Sequence, residues 1–566
     1  MDNHRTEDRT LAARAASHAR TRPDQPAVIC EDRALTYGQL HRESNRTAHA
    51  LLAAGLGAGA RVGYLGRESE YYFDLALGCA KAGAVLVPVN SRLTVGEVEH
   101  VLRDSQAELL FVERAFRPLV DKLRALLPRL GRVVEMDSDA HLAAGFLGWK
   151  GDAADTDPPT AGAVGFDDPV AQLYTSGTTG LPKGVVLAQR TFFTFIADSR
   201  AAGVDWIDWR PQDRGLSCFP ALHTSGFGWF MHSFNAGATT VIMRQFIADE
   251  ATRLIERHGI TTLWAAPAML RMMLTEKGTG RETFASLRKV VYSGSPIDRE
   301  LLLTCIDVLG CELAQGYSSA EAGSFVTCLA PSDHTPDSRV LASAGRALPG
   351  NEVRILDGEG RALPAGEVGR VVIKSPARFL GYWRLPEATA AALSDGPAGT
   401  DGPGGTDGSG GTDGSGGADG PGGQWLAMGD MGHLDADGYL FLADRVGDTI
   451  IVAGQNIYPT EVENALRAHP AVAEVCVYGV PHPDWGEAVR AAVVLRAGAE
   501  AVPRDFLRFL NGRLAGFKIP TGYDIVTALP RNPTGKVLRR VLRERHPAGA
   551  APSAAPAAPA ASPAAA

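Results

Sequence analysis

The segment that most constrains this chain is residues 174–185, which read Tyr-Thr-Ser-Gly-Thr-Thr-Gly-Leu-Pro-Lys-Gly-Val. Its central ten residues contain three glycines, four hydroxyl side chains and one lysine. Glycine allows positive φ, and successive exposed backbone N–H groups form a concavity that binds anions. Because Lys183 adds a full positive charge, the segment predicts a loop that holds a polyphosphate.

The residues around this loop distinguish it from the phosphate loop of nucleotide triphosphatases, in which Gly-Lys is followed at once by Ser or Thr and opens a helix. Here Lys183 is followed by Gly-Val-Val-Leu, a β-branched run typical of a strand, and the apolar stretch 170–174 precedes the loop. The sequence therefore predicts a loop between two strands, with helix beginning only around Arg190. The wrong loop signature also excludes a phosphoryl-transfer kinase.

The whole string resembles the phosphate loop of the adenylate-forming superfamily, which includes acyl-CoA synthetases, amino-acid adenylation domains and luciferases. The resemblance covers roughly residues 25–545, because the other motifs of the superfamily follow in the same order. It implies that ATP is bound by the loop and that Lys183 contributes to catalysis. The loop residues implied to bind ATP are Thr175, Ser176, Gly177, Thr178, Thr179 and Gly180.

A histidine motif follows at residues 220–226, which read Pro-Ala-Leu-His-Thr-Ser-Gly. In the resembled family this histidine lies beside the acyl pocket, so the resemblance gives His223 that place and a catalytic role. Segments 264–267 and 293–296 resemble the walls of the carboxylate-substrate pocket. The pocket residues implied in this way are Thr224, Ser225, Trp264, Ser293, Gly294 and Ser318.

Residues 315–321, Gln-Gly-Tyr-Ser-Ser-Ala-Glu, resemble the tyrosine–glutamate motif of the superfamily. The resemblance implies that Gln315, Gly316 and Tyr317 bind the nucleotide, with the tyrosine ring stacked on adenine. It also implies that Glu321 is catalytic and helps to hold Mg²⁺. The motif therefore supplies both the base site and the metal ligand.

Two positions in this motif depart from the resembled pattern. Relatives usually have Gly where this chain has Ser318, and Thr where it has Ala320. Since a hydrogen bond to a charged group is worth about 1.5–3 kcal/mol, loss of the Thr hydroxyl predicts a rate roughly ten- to a hundredfold lower. We expect Ser318 to narrow or polarise the floor of the pocket.

The remaining motifs complete the set that the resemblance implies. Asp430, in Met-Gly-Asp, is the expected ribose ligand, because a carboxylate accepts two hydrogen bonds from a vicinal diol. Arg445 is expected to contact ribose or phosphate, and Gly447 aligns with the hinge residue. Gly454 is expected to line the thiol tunnel. Lys536, in Arg-Asn-Pro-Thr-Gly-Lys, is expected to neutralise charge as the carboxylate attacks the α-phosphate.

These motifs imply an ATP-dependent carboxylic acid–CoA ligase with ATP, Mg²⁺ and coenzyme A as its cofactors. Acid and ATP give an acyl-adenylate and pyrophosphate, and the thiol of coenzyme A then displaces AMP. Both reactants of the first step are anions, so catalysis depends on positioning and on cations placed where charge builds up.

The expected fold class is α/β, because helical patterns, such as the one over 37–52, alternate along the chain with short apolar strand patterns, such as the one at 109–112. The resemblance implies a large N-terminal domain, residues 1–445, made of α/β subdomains plus a distorted β-barrel. A small mobile α+β C-terminal domain, residues 446–546, is expected to swing between the two steps. A Gly-rich insertion at 395–424 and an Ala/Pro-rich tail at 547–566 have compositions that predict flexibility.

Composition narrows the partners and the compartment. The net charge of −8 argues against nucleic acid, whose binders carry a basic footprint. The seven cysteines include no pair at metal or redox spacing, which favours the reducing cytoplasm. The N-terminal residues lack an apolar signal core, and no apolar run approaches membrane-spanning length, so no membrane association is expected.

Three alternatives stay open at this point. The acceptor could be the phosphopantetheine arm of an acyl carrier protein instead of free coenzyme A. An amino-acid adenylation domain is disfavoured, because no aspartate for a substrate ammonium follows His223. A non-catalytic acyl or nucleotide binder is suggested by Ala320 and Gly447, but the charged motif residues are retained. The bulk of Trp264 and the pocket hydroxyls favour a small, compact acid, polar or aromatic, over a long fatty acid.

Overall fold

The computed structural model describes residues 10–136, 145–175, 181–204, 208–294, 297, 299–394, 424–445, 450–457, 459–530, 537 and 539–546. The α-helices are α1 Leu11–Thr21, α2 Tyr37–Ala53, α3 Glu70–Ala82, α4 Val95–Ser105, α5 Arg117–Leu123, α6 Phe146–Lys150, α7 Thr194–Ala201, α8 Thr224–Ala236, α9 Ala248–His258, α10 Pro267–Thr275, α11 Arg299–Leu309, α12 Pro386–Ala392, α13 Pro459–Arg467, α14 Pro503–Leu510 and α15 Arg539–Arg543.

The strands, which alternate with these helices over much of the chain, are β1 Pro26–Cys30, β2 Arg33–Thr36, β3 Arg61–Gly66, β4 Val85–Asn90, β5 Leu109–Val112, β6 Arg132–Glu135, β7 Pro169–Thr175, β8 Lys183–Ala188, β9 Arg214–Ser217, β10 Thr239–Ile242, β11 Thr262–Ala265, β12 Lys289–Ser293, β13 Glu312–Tyr317, β14 Thr327–Leu329, β15 Arg346–Ala347, β16 Glu352–Leu356, β17 Gly369–Lys374, β18 Gly381–Tyr382, β19 Leu393–Ser394, β20 Trp425–Leu434, β21 Leu440–Arg445, β22 Ile450–Val452, β23 Gln455–Ile457, β24 Val472–His482, β25 Gly486–Leu495 and β26 Gly522–Ile525.

The chain divides into two compact units, of which the larger contains most of the residues up to Gly447 and the smaller contains those from Asp448 onward. The predicted α/β class, with a large N-terminal and a small C-terminal part, is confirmed. The insertion predicted at 395–424 lies outside the described residues except for Gln424, and so does the predicted tail at 547–566.

Two mixed sheets with long parallel runs form the body of the larger unit. The first has the order β18-β8-β7-β4-β3-β5-β6, and the second the order β15-β14-β13-β12-β11-β9-β10-β1-β2. Strands such as β5, whose four residues are all buried, carry continuous apolar runs because helices cover both faces of a parallel sheet. The carboxyl ends of neighbouring parallel strands meet at one edge of each sheet, where ligand sites of α/β proteins form.

A third sheet in the larger unit is antiparallel, with the order β16-β17-β20-β19 and with β21 beside β20. The resemblance implied a distorted barrel in this domain, and the pairings among the described strands of this sheet follow an open path. Register shifts within the β17–β20 and β20–β21 pairs add local twist. The second shift falls between Asp430 and Gly432, so it changes which side chains of β20 face the same side.

Helix ends in the larger unit follow the chemistry of their capping residues. Thr36 and Gln39 form a reciprocal capping box at the start of α2. Gly237 ends α8 with φ +73°, and a Cβ at this position would lie 2.1 Å from the Arg22 guanidinium. The left-handed backbone at this position favours glycine, and a larger residue would also displace the Arg22 side chain.

The smaller unit is built on the long antiparallel pair β24–β25, beside which β26 runs parallel to β25. One face of this sheet packs on α13 and α14, and the core includes Val462, Leu466, Phe506 and Leu510, all fully buried. Throughout the described parts of the chain, every helix is too short or too polar to span a membrane.

Candidate active site

Four parallel strands of the nine-stranded sheet deliver predicted site residues to one edge. Strands β9, β11, β12 and β13 lie side by side, and His223, Trp264, Ser293 and Tyr317 lie at or just beyond their carboxyl ends. Residues that are widely separated in sequence therefore reach the same edge, because the strands run in the same direction.

The phosphate loop joins two antiparallel strands, as the sequence predicts. Thr175 ends β7 and Lys183 begins β8, and these two residues are direct partners across the pair. A short 3-10 helix, Gln189–Phe192, follows β8, and α7 begins at Thr194. The predicted ATP ligands Ser176, Gly177, Thr178, Thr179 and Gly180 lie outside the described residues.

Tyr382 connects the two predicted phosphate-site residues that the structure describes. The Lys183 ammonium lies 5.1 Å from the centroid of the Tyr382 ring. On the other side, the Tyr382 hydroxyl donates a 2.8 Å hydrogen bond to Oε1 of Glu321. The backbone is also fixed, because the N–H of Phe379 donates to the carbonyl of Glu321 at 2.8 Å. A cation and a carboxylate are thus held beside one aromatic ring.

Sequence reasoning missed Tyr382. The residue belongs to β18, a two-residue strand that pairs with β8 about two hundred positions earlier in the chain. The only local signal is the aromatic Gly-Tyr-Trp run at 381–383, which has no chemical signature of its own. Its contact with Glu321 accompanies the backbone hydrogen bond from Phe379 to Glu321, which joins two segments far apart in sequence.

The predicted nucleotide residues Tyr317 and Asp430 meet directly. The Tyr317 hydroxyl donates a 2.7 Å hydrogen bond to Oδ2 of Asp430, and both residues are buried. Asp430 is the backbone partner of Arg445 across β20 and β21. The bond orients the carboxylate, a group that can accept more than one hydrogen bond. Gln315 and Gly316 precede the tyrosine on β13.

The two departures in this motif have different surroundings. The Ser318 side chain is exposed, and its hydroxyl bonds to the backbone carbonyls of Ser319 and Ser324 within the same turn. Ala320 is partly buried and packs against the main hydrophobic core of the larger unit. The hydroxyl of Ser318 is therefore engaged by the backbone, and the expectation that it polarises the pocket floor stays a prediction.

His223 caps the N-terminus of α8 with extended backbone angles, φ −120° and ψ 159°. Its ring Nε2 lies 3.2 Å from Nδ2 of Asn90, the last residue of β4. Thr224 and Ser225, the predicted pocket residues, form the first turn of α8 and are partly buried. Asn90 is a second residue that sequence reasoning did not single out.

An aromatic wall stands beside the predicted acyl pocket. Nε1 of Trp264 donates a 2.7 Å hydrogen bond to Oγ of Ser293, and both residues are buried. The Trp264 ring lies 5.0 Å from Phe325, 5.3 Å from Phe219 and 5.4 Å from Trp229, measured between centroids. Tilted and edge-on pairs at these distances are favourable contacts. The four rings form one packed group, here called the aromatic wall.

Two of the predicted glycines lie beside this wall. A Cβ on Gly316 would lie 2.2 Å from the ring of Phe325, so the ring rests directly on the backbone of β13. Gly294 follows β12 with φ +88°, a conformation that strains other residues. Both glycines were predicted site residues, and the structure gives each a steric reason.

Four predicted residues follow Asp430, and the structure describes only two of them. Gly454 lies in the turn between β22 and β23 with φ +78°, where glycine is favoured. For Arg445 the structure describes the backbone at the end of β21 but not the side chain. Gly447 and Lys536 lie outside the described residues, and their roles stay predictions.

Comparison with known proteins places this geometry in a known class. Residues 15–383 match the family model described as AMP-binding enzyme, and residues 461–536 match the AMP-binding enzyme C-terminal domain. The matches, taken with the two-unit fold, define an adenylate-forming enzyme. The chain belongs to the AMP-binding enzyme family, and the predicted activity, that of an AMP-forming acid–thiol ligase, is confirmed at the level of the family.

Several relatives match over nearly their whole length. A fatty acid–[acyl-carrier-protein] ligase of Streptomyces coeruleorubidus is 48% identical over 96% of this chain and 97% of its own. A feruloyl-CoA synthase of an Amycolatopsis species is 33% identical over 93% and 97%. Among solved structures, the amide bond synthetase McbA of Marinactinospora thermotolerans is similar, with a TM-score of 0.79, 28% identity and coverage of 95% and 99%.

Proposed function

We propose that this protein activates a compact carboxylic acid with ATP and transfers the acyl group to the thiol of coenzyme A. The observation that carries the proposal is the contact series from Lys183 through Tyr382 to Glu321, next to a loop suited to phosphates. The Tyr317–Asp430 pair supports the same reaction, because it offers a ring and a carboxylate to a nucleoside.

In the first step the chain has to bring two anions together. Lys183 places positive charge near the phosphates, and the oriented Asp430 carboxylate binds the ribose hydroxyls. Glu321 fits Mg²⁺, because this ion usually takes one or two protein carboxylates together with substrate phosphates. When bound there, Mg²⁺ would neutralise charge that develops on the phosphate oxygens. Electrostatic help of this kind is commonly the largest single contribution to catalysis.

For the second step we propose that the small C-terminal domain, residues 446–546, changes its orientation about Gly447. Lys536 would serve adenylate formation, and Gly454 would line the route of the thiol during transfer. A glycine absorbs large changes of φ and ψ without strain from a Cβ, which suits a hinge. The supporting observation is that the chain divides into two compact units at this point.

The aromatic wall supports a compact acid. Trp264 and Phe325 are 6% and 3% exposed, so the space they occupy is closed to an extended chain in this conformation. Because one methylene in a pocket changes discrimination by only about 1–3 kcal/mol, the wall defines a size class and leaves the individual acid open. We therefore propose a short or aromatic acid as the preferred substrate.

A carrier-protein acceptor is the second candidate, and one observation favours it. The relative that is 48% identical is a fatty acid–[acyl-carrier-protein] ligase, whereas the relatives at 33% identity include CoA ligases. Both acceptors present the same phosphopantetheine thiol, so the chemistry of the adenylation site is common to them.

The compartment proposed for this reaction is the cytoplasm. The seven cysteines are free thiols, and six of them are buried. Free buried cysteines without disulfides are typical of proteins in reducing compartments.

The test is pyrophosphate release from ATP and Mg²⁺ with hexanoate, dodecanoate, palmitate, benzoate, ferulate and indole-3-acetate. Each acid is assayed alone, with coenzyme A and with a phosphopantetheinylated carrier protein. Release that depends on a short or aromatic acid and rises with coenzyme A supports the proposal. If pyrophosphate release rises with the carrier protein but not with coenzyme A, the carrier-protein acceptor is favoured. If palmitate is turned over fastest, the assignment of a compact acid is contradicted.

The variant Lys183→Met should have low activity in this assay, because loss of the cation should lower the rate of pyrophosphate release about a hundredfold or more. Lys277→Met is the matched control, because Lys277 is an exposed lysine outside the site. Equal rates in the two variants would contradict the role given to Lys183.

A further inference from the structure

We propose that Glu68, Tyr72 and Asn90 form a clamp that positions the His223 ring for the acid-binding step. This inference rests on the proposed function for the place of His223 beside the acyl pocket. Glu68 lies in the loop between β3 and α3, Tyr72 lies on α3, and Asn90 ends β4, whereas His223 lies at the start of α8 in the segment that follows β9 of the nine-stranded sheet. The clamp therefore fixes one sheet edge against the other at the site.

Both backbone polar groups of Ala221, two residues before His223, are held by buried side chains. The Ala221 N–H donates to Oε1 of Glu68 at 2.5 Å, and the Tyr72 hydroxyl donates to the Ala221 carbonyl at 2.8 Å. Glu68 is 7% exposed and Tyr72 is fully buried. Buried hydrogen bonds of this kind leave the segment little freedom, since breaking either one would leave an unpaired polar group.

Asn90 acts on the ring itself. Its Nδ2 lies 3.2 Å from Nε2 of His223, and this hydrogen bond fixes the orientation of the ring. Asn90 ends β4 and is the direct partner of Gly66 at the end of β3. Glu68 follows two residues later, so two neighbouring strand ends supply the hydrogen bonds to the loop and to the ring.

The first turn of α8 transmits any shift of this loop. A Cβ on Gly226 would lie 2.3 Å from the carbonyl oxygen of Phe219 and 2.4 Å from that of Pro220. The helix therefore starts in van der Waals contact with the loop that precedes it. A movement of Ala221 has to move both His223 and the pocket residues Thr224 and Ser225.

The charge state of Glu68 gives the clamp a signature that a purely structural contact lacks. Burial raises the pKa of the Glu68 carboxyl to about 8, against the opposing effect of the Ala221 N–H. The carboxyl is thus mainly protonated at neutral pH and ionises in mildly alkaline solution. The added charge then lies beside a site that binds an anionic acid.

Two buried phenols lie near the Glu68 carboxyl. Tyr64 and Tyr72 face it and stay protonated, because burial raises the pKa of each phenol above its ordinary value. Glu113, which also interacts with Tyr64, is ion-paired with Arg67 and Arg244, and its pKa is lowered. His223 lies on the clamped loop itself, so its own titration has to be measured separately.

The kinetic test measures ATP–pyrophosphate exchange from pH 6.5 to 9.5 with the acid that gives the highest kcat/KM in the panel above. For the wild type we expect kcat/KM for the acid to fall above about pH 8. Glu68→Gln keeps a hydrogen-bond acceptor but does not ionise, so its profile should lose this alkaline limb. Asn90→Leu should raise KM for the acid about tenfold and leave KM for ATP within twofold.

Two controls and one acid-independent readout complete the test. Glu31→Gln and Asn511→Leu change exposed residues of the same types away from the clamp. In protein labelled with ¹³C at histidine Cε1, a His223→Gln variant assigns the His223 signal. That signal should shift with an apparent pKa near 8 in the wild type, not in Glu68→Gln, and should change in Asn90→Leu.

Each outcome decides the proposal. An alkaline limb that persists in Glu68→Gln, or a His223 signal that is the same in all variants, overturns the clamp. Equal rises of KM for acid and ATP in Asn90→Leu indicate a general structural role and also overturn it. Wild-type protein that exchanges with no acid counts against the proposed function, and the histidine signals then still decide the clamp.

Discussion

Tyr382 offers the most direct test of the phosphate site, because its hydroxyl and its ring do different things. Tyr382→Phe removes the hydroxyl that bonds to Glu321 at 2.8 Å and keeps the ring near the Lys183 ammonium. Tyr382→Ala removes both. The two variants therefore separate the orientation of the carboxylate from the support of the cation.

The expected loss of reaction rate in each variant follows from the two contacts of Tyr382. A hydrogen bond to a carboxylate is worth about 1.5–3 kcal/mol, or roughly ten- to 150-fold at 1.36 kcal/mol per factor of ten. Tyr382 and Glu321 are only partly buried, so water can replace part of the hydrogen bond. We therefore expect the rate of pyrophosphate release to be about tenfold lower in Tyr382→Phe. A cation–π contact at an exposed site adds about 0.5–1 kcal/mol, so Tyr382→Ala should lose a further two- to fivefold.

The assay is pyrophosphate release at varied Mg²⁺ and ATP with a saturating acid. For Tyr382→Phe, the Mg²⁺ concentration that gives half-maximal rate should rise, because Glu321 is less well oriented. Tyr439→Phe is the matched control, since Tyr439 also donates to a carboxylate, that of Asp333 at 3.0 Å. Unchanged Mg²⁺ dependence in Tyr382→Phe would refute the reasoning, even if the overall rate fell.

Three further predictions follow from the site and the core. Lys536→Ala should lower adenylate formation about a hundredfold or more but largely spare thioester formation from a supplied acyl-adenylate; equal losses in both half-reactions would contradict the domain-swing mechanism. Trp264→Ala should open the aromatic wall and shift preference in the acid panel toward longer acids, at a cost of about 3–5 kcal/mol in unfolding free energy by urea titration; an unchanged preference would argue that the wall lies outside the pocket. Lys81 is fully buried, and burial lowers its pKa to about 7, so unfolding free energy should rise with pH between about 7 and 10.5. Lys81→Met should flatten that rise by up to about 1.4 kcal/mol per pH unit in denaturation curves at several pH values, and an unaltered slope would contradict the assignment.

Local patterns predicted much of the fold. The apolar run at 109–112 is β5 with the predicted bounds, and the helix predicted over 37–52 is α2, which ends one residue later. The strand–loop–strand arrangement around Lys183 was also predicted from the residues that flank it. Patterns of this kind succeed because hydrophobic periodicity and turn residues act over a few positions.

Pairings between distant segments could not be predicted in the same way. Tyr317 and Asp430 are 113 residues apart, and Asn90 and His223 are 133 residues apart. The sequence placed Tyr317, Asp430 and His223 in the site through motifs, but it did not say which side chain each would contact. Such contacts depend on strand order within the sheets, which local composition does not encode.

Ser318 illustrates the same limit on a smaller scale. Its residue type predicts that it narrows or polarises the pocket floor, but it did not indicate that the hydroxyl bonds to backbone carbonyls of its own turn. A serine in a turn can satisfy itself locally, and the choice depends on backbone angles that the residue type leaves open.

The contact between Gly316 and Phe325 constrains how the substrate range of this protein can change. Any side chain at position 316 would collide with the Phe325 ring, which lies against the bare backbone. A library that varies position 316 alone should therefore yield misfolded or inactive protein. Substitution at 316 becomes tolerable only after position 325 has received a smaller residue, so the order of mutations matters. Adaptation toward bulkier acids must therefore begin with a substitution of Phe325.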